Sequence, residues 1–185
     1  MQQPTLHTSR LLLRPFHLED APEVQHLAGA FEIARVTLNV PHPYEDGMAQ
    51  AWIESHASEF EKGLVAYFAL VEATSNALIG SMHLRINRAH AHAELGYWLG
   101  VPFWNRGYAT EAARTLLHYG FESLELQRIQ ASHLDCNPAS GRVMQKIGMQ
   151  PEGVSRRAAR KWDEFHDLVR YAILREEYVP PTPGN

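Results

Sequence analysis

Residues 94–112, ELGYWLGVPFWNRGYATEA, combine features that could hold an anion. The run begins as a strand, turns tightly and enters a helix. A helix N-terminus offers unpaired N–H groups and a partial positive charge, which attract phosphate-like ligands. Gly107 has no side chain where backbone would approach such a ligand, and Ala109 keeps the next position small. Phe103 and Trp104 could wall the loop, and Arg106 adds a cation at its mouth. The GxxxxGK[ST] of a P-loop and the GxGxxG of a dinucleotide fold are both missing. The same residues also suit a plain strand-to-helix turn in which glycine serves only geometry, and on the residues alone both readings stand.

A second stretch places a hydroxyl where chemistry could use it. Asn137-Pro138 opens a helix that Gly148 closes, with Asn137 as its cap. At about 100° per residue Ser140 falls on the face of Val143, Met144 and Ile147, so its hydroxyl points inward from an apolar stripe. A buried serine can also bond its own helix backbone. Tyr97 and Tyr108 are further proton donors, ranked below Ser140. Cys136 and His133 suggest a thiol nucleophile, but residues three apart on a strand point to opposite faces, which argues against a dyad. His90 and His92 would share one strand face. With no third ligand at a telling spacing, no HExxH and no paired CxxC, they read as strand-edge residues, and no metal is expected.

These pieces need a scaffold. Residues 8–16 alternate around Leu11 and Leu13 and predict a first strand. A helix follows over 21–28, then a proline-containing connection over 33–44, then a helix over 46–62 that Gly63 stops. Strands are predicted at 65–72 and 77–87, joined as a hairpin through Thr74-Ser75-Asn76, with a third at 93–100. From Ala109 the period changes to a helical stripe through Ala112, Ala113, Leu116, Leu117, Phe121 and Leu124. Alternation returns over 128–134, the Asn137 helix follows, and two strands are predicted around 150–156 and 166–177. Residues 179–185, with three prolines, read as a loose tail behind a single domain over 1–178. This order is α+β, without the regular alternation of a doubly wound sheet.

Composition narrows the function. The 185 residues, 45% hydrophobic, suffice for one globular core. Seventeen basic against twenty-one acidic residues give a net charge of −4, so no nucleic-acid partner is expected. The densest basic stretch, Arg156, Arg157, Arg160 and Lys161, reads as a solvated face. A lone cysteine, Cys136, excludes an internal disulfide and fits a reducing compartment. No apolar run approaches the roughly 18 residues of a membrane span, and the first residues lack a signal-peptide pattern, so a cytoplasmic location without a membrane partner is expected.

Trp104-Asn-Arg-Gly-Tyr-Ala resembles the pyrophosphate loop of the GNAT superfamily of N-acetyltransferases. There a polar residue is followed by two variable residues, Gly, one more residue, and Gly or Ala. Trp104 occupies the polar position. That departure, with the flanking Tyr-Trp-Leu and Ala-Thr-Glu-Ala, resembles the branch of ribosomal-protein N-terminal alanine acetyltransferases and their relatives. The segment TSRLLLR at 8–14 is similar to that branch's opening strand, and Leu78-Ile79-Gly80 to the strand before the acyl site. The segment NPASGRVMQKIGM at 137–149 resembles its late helix, and Asp167 and Tyr171 stand where its last strand usually has an Asp and a Tyr.

The resemblance covers about residues 8–178. It implies a single GNAT-like domain with a mixed, mostly antiparallel sheet of six or seven strands and about four helices. The fourth and fifth strands, here about 94–100 and 128–135, would splay apart, with Gly96 as a bulge site. Acetyl-CoA is the implied cosubstrate. Its pantetheine would lie along backbone near Leu99 and Val101, and its pyrophosphate on amides of Arg106, Gly107, Tyr108, Ala109 and Thr110. Asn137 would stand near the coenzyme arm, and Ser140 would give a proton to the departing thiolate. Glu94, beside the expected acyl site, is the expected base, directly or through water, with Asp163 and Glu164 as rivals. The implied acceptor is a primary amine, on a protein N-terminus or a small molecule. A non-catalytic acyl-CoA-binding or sensing module is the alternative; the presence of Gly107, Asn137 and Ser140 favours catalysis. Acceptor identity and oligomeric state, a homodimer included, stay open.

Overall fold

The structure is a computed structural model that describes residues 2–180. Its strands are β1 (Leu6–His7), β2 (Leu11–Arg14), β3 (Val65–Glu72), β4 (Leu78–Asn87), β5 (His92–Leu99), β6 (Arg128–Leu134), β7 (Gln150–Lys161) and β8 (Glu164–Leu174). The helices are α1 (Ala21–Ala28), α2 (Phe31–Ala34), α3 (Met48–Glu61), α4 (Tyr108–His118) and α5 (Pro138–Lys146). The strands form one sheet in the order β1-β2-β3-β4-β5-β6-β8-β7. Every neighbouring pair is antiparallel except β5 and β6.

Strand β3 shows why helices lie on both faces. Its first seven residues are all buried, so neither face there can meet water. Ala66, Phe68 and Leu70 point to one side, where they join Met82, Leu84 and Ile129 against Ala112, Ala113, Leu116 and Leu117 of α4. Ala69 and Val71 point to the other, against Val24 of α1 and Ala49 and Ile53 of α3. Each fully buried Leu or Phe contributes roughly 2 kcal/mol by leaving water.

The α+β class is as the order of elements predicts and the splay is as the resemblance implied, with one more strand than predicted. The extra strand is β1, a two-residue bridge to β2 through Leu6↔Leu13, too short to leave a pattern. The one-turn helix α2 lies where a connection was expected. The β7–β8 hairpin runs further than predicted because its register shifts between Ser155 and Ala159, which breaks the alternation. His90 belongs to a 3-10 turn while His92 opens β5, so they do not share a strand. Val179 and Pro180 form no regular structure, and the rest of the expected tail lies outside the described residues.

Strands β5 and β6 pair only through His92↔Arg128, Ala93↔Ile129 and Glu94↔Gln130. Beyond that, β5 continues with β4 to Leu99 while β6 continues with β8 to Leu134. The facing edges part. Gly96 is not a bulge, because the β4–β5 register runs unbroken past it. It is small because a Cβ there would lie 2.5 Å from the His83 ring. That ring tilts on Tyr67 at 5.0 Å between centroids, and Tyr67 stacks on His56 at 4.1 Å.

His56 is buried, neither ring nitrogen finds a partner, and burial pushes its pKa down to about 4. The folded chain therefore keeps His56 neutral at a pH where the unfolded chain takes up a proton. Stability is complete above the unfolded value of about 6.5 and is lost as pH falls towards about 4, by up to about 3 kcal/mol. His83 is lowered in the same way. We predict that the unfolding midpoint falls as pH is lowered from 7 to 5, and that His56→Phe flattens this slope by about half. An unchanged slope in His56→Phe would contradict the account.

Candidate active site

The loop leaving β5 turns at Asn105 (φ 61°) and Gly107 (φ 83°), and α4 begins at Tyr108. The left-handed φ explains the glycine. Among the described residues no side chain caps this helix start, so its first-turn N–H groups are left for a ligand or water. The first turn is held by Glu111, which accepts from Thr8 Oγ1 at 2.5 Å, the Arg10 amide at 2.9 Å and Arg10 Nε at 2.7 Å. Burial alone would raise the Glu111 pKa, but the hydrogen bonds from Thr8 and Arg10 outweigh it and hold it below the usual value. Arg10 also lies 4.6 Å over the Tyr108 ring, and the Tyr108 hydroxyl donates to Glu72. That commits the Tyr108 proton away from the cleft.

A cleft of about 280 Å³ opens where β5 ends, between the starts of α4 and α5. Of the predicted residues, Leu99, Gly107, Tyr108, Ala109, Thr110, Asn137 and Ser140 line it. Val101 and Arg106 do not. Val101 is taken into a 3-10 turn, and the Arg106 guanidinium lies 5.8 Å over Phe103 while its carbonyl accepts from Arg10 Nη1. The Leu99 carbonyl accepts from the Trp104 indole N–H at 2.7 Å, which gives tryptophan a role at the loop position where a polar residue was expected. Arg142 and Lys146 also line the cleft, two cations the sequence reading overlooked. They stand one helical turn apart on α5, a spacing that would have revealed a shared face.

Asn137 Oδ1 accepts from the Ser140 amide at 3.2 Å, and its Nδ2 donates to the Val36 carbonyl at 3.1 Å. One side chain thus caps α5 and ties down the segment after α2. The Ser140 hydroxyl lies 2.7 Å from the Tyr97 hydroxyl. Burial pushes the Tyr97 pKa up to about 12, so it stays protonated. With Tyr97 donating to Ser140 Oγ, the serine proton is free to turn towards a leaving group.

Glu94, too, is not brought to this cleft. It is exposed and lines a separate cavity with Arg85, Arg88 and Gln130. The reason is its place in the sheet: it is the last β5 residue still paired to β6, and the strands part only beyond it. The rivals are exposed too, Asp163 beside Arg160 and Glu164 at the hairpin turn. No Cys136–His133 dyad forms. The exposed Cys136 thiol meets the Arg35 carbonyl at 3.6 Å, while His133 is buried and bonds the Leu134 carbonyl. Asp135, Cys136 and His166 could offer metal-ligand atoms within 4.8 Å of one another. Both Asp135 oxygens are already engaged, however, with His166 and the Cys136 and Asp167 amides.

The sheet is mixed and opens beyond its one parallel pair, with an uncapped helix start at the opening. Residues 10–150 match the acetyltransferase (GNAT) domain family, and the chain belongs to that family. It is 30% identical to the uncharacterized N-acetyltransferase p20 of Bacillus licheniformis over 95% of this chain and 98% of that one. It is 27% identical to the [ribosomal protein uS5]-alanine N-acetyltransferase of Escherichia coli over 95% and 93% of the two chains. The solved complex of the microcin C7 self-immunity acetyltransferase MccE with acetyl-CoA and AMP superposes with a TM-score of 0.83 at 19% identity, over 90% of this chain and 93% of that one. That last likeness concerns the fold.

The Ser140–Tyr97 pair generates a prediction. Ser140→Ala should lower kcat by about 10- to 10³-fold, the scale of a general acid, while coenzyme binding changes little. Tyr97→Phe should cost less, since it removes only the supporting hydrogen bond. Steady-state kinetics decides, and a far larger loss in Tyr97→Phe would assign the acid to Tyr97.

Proposed function

We propose that the chain transfers an acetyl group from acetyl-CoA directly to a primary amine, as a single domain over residues 1–178. The observation that carries this reading is the parting of β5 and β6 beyond Glu94, with the uncapped start of α4 at its mouth. Backbone edges without a strand partner suit the amides of a pantetheine arm. The α4 amides at Tyr108, Ala109 and Thr110 suit a pyrophosphate, and Arg142 and Lys146 suit further phosphate. When bound, acetyl-CoA supplies the thioester. The chain's own residues then orient it through Asn137, and Ser140, supported by Tyr97, supplies the proton that the departing sulfur needs.

The acceptor is a protein N-terminus or a small-molecule amine. The Escherichia coli relative is named for an alanine of ribosomal protein uS5, so an alanine-leading peptide is the first acceptor to try. A free cysteine and likeness to an enzyme of ribosomal proteins support a cytoplasmic location.

Binding and turnover test this together. At a hundredfold excess over its Kd, acetyl-CoA should stabilise the fold by about 2.7 kcal/mol, read as a rise in Tm. Gly107→Val, strained at φ 83°, should lose that rise. Mass spectrometry over a panel of alanine-leading peptides, amino acids and polyamines should find an acetylated product. Binding without any product would favour the non-catalytic sensing module, and an unchanged Tm rise in Gly107→Val would remove the loop as the phosphate site.

A further inference from the structure

An amine arrives as ammonium and must lose a proton before it attacks. Ser140 and Tyr97 cannot take it, since they serve the leaving group. They also stand on the wrong side. Tyr97 shares its face of β5 with Ala93, Leu95 and Leu99, which pack in the core cluster with α4. An acceptor entering through the splay from the opposite face needs a proton acceptor there.

The opposite face offers few. Glu94 lies at the closed end of the splay. His83 lies under Gly96, its pKa pushed down to about 4, too weak a base at neutral pH. His166 differs. Tyr171 and Ile173 of β8 belong to the core on the α4 side, so alternation turns His166 and Leu168 to the other face. Its cross-strand partner Ala159 is buried. The segment after α2 spans this corner: Cys136 Sγ meets the Arg35 carbonyl, Asn137 Nδ2 the Val36 carbonyl, and Lys161 Nζ the Leu38 and Val40 carbonyls. Val36 and Asn137 of this same corner also line the cleft. His166 meets this corner through Asp135, two positions before Asn137 in the chain, and its side chain is 14% exposed.

The ring is oriented. His166 Nδ1 donates to Asp135 Oδ1 at 2.9 Å, and the Cys136 and Asp167 amides hold that carboxylate in turn. A carboxylate on Nδ1–H fixes the tautomer and leaves Nε2 as the basic nitrogen. The nearest acidic atom to Nε2 is Glu164 Oε2 at 3.9 Å, beyond hydrogen-bonding distance.

Resting on the acetyl-transfer reading, we propose that His166, positioned by Asp135, is the base that takes the proton from the acceptor ammonium. His166 Nε2 takes one proton, and the freed amine lone pair forms the C–N bond to the thioester carbon. The C–S bond breaks, and the sulfur leaves with the Ser140 proton. The new amide nitrogen sheds its second proton to water, and the serine regains its proton from water. The imidazolium returns its proton to water. The charged and titratable groups around His166 are Asp135 and Cys136 from the β6–α5 link, Glu164 and Asp167 on β8, Lys161 and Arg157 on β7, and Arg35 after α2. Asp135, Glu164 and Asp167 are the carboxylates that a cationic acceptor would meet there.

The test is the pH profile of kcat/KM for an alanine-leading tetrapeptide, whose α-amine ionises near about 8. His166→Gln should lose about 10²-fold at pH 7. The loss should shrink to about threefold or less at pH 9.5, where the amine needs no base. Asp135→Asn should show the same convergence from a smaller loss, and both variants should keep the acetyl-CoA rise in Tm. A loss of equal size at every pH would make His166 a structural residue and overturn the proposal. So would an acidic limb that disappears in Glu94→Gln and persists in His166→Gln, or wild-type activity abolished by EDTA, which would turn the Asp135, Cys136 and His166 cluster into a metal site. No acetylation of any amine by wild type, with acetyl-CoA bound, would remove the acetyl-transfer reading and this proposal with it.

Discussion

The site depends on a three-residue pairing between β5 and β6. Over 92–94 and 128–130 the two parallel strands share a ladder; beyond it each keeps only its outer neighbour. An open edge inside a sheet is costly unless something satisfies its backbone groups. Here the start of α5 fills part of the gap, with Ser140 against Tyr97, and the Trp104 indole takes the Leu99 carbonyl. The rest is the cleft. Closing the ladder would strengthen the sheet and remove the slot, so the opening is a structural cost kept for function.

Polar ties, rather than core packing alone, set what surrounds the opening. Glu111 fixes the α4 start to residues 8–10, and the glycine at φ 83° lets the backbone turn into the helix without a side chain in the way. Asn137 caps α5 and holds the segment after α2 at once. These ties cross about a hundred residues of sequence, which makes the site a product of the whole fold. The helices' apolar faces hold α1, α3 and α4 on the sheet, and the short polar contacts then align their ends with the splay.

That division explains how much was legible in the sequence. Periodicity marked most strands and helices, since most bury one face, while β3, buried on both, showed as a run of strand formers, and the two long motifs carried the family. The inward direction of Ser140 followed from helical spacing alone. Glu94 shows the limit. Alternation reports which face a strand residue takes, but where two strands part depends on a partner more than thirty residues away. His166 was passed over beside Asp163 and Glu164 for a similar reason: Asp135, which orients it, is distant in sequence. β1 was too short for a pattern, and the cations Arg142 and Lys146, one turn apart on α5, were not read as a pair.

The central claim is that the gap between β5 and β6 receives the coenzyme, and amide hydrogen exchange tests it most directly. With saturating acetyl-CoA, exchange should slow most between Gly96 and Leu99 and at Tyr108 to Thr110. The amides of 92–94, already paired across the sheet, should change little beyond the general stabilisation. Protection centred instead on the second cavity around Arg85, Arg88 and Glu94, or spread evenly over the sheet with no excess at the opening, would contradict the account.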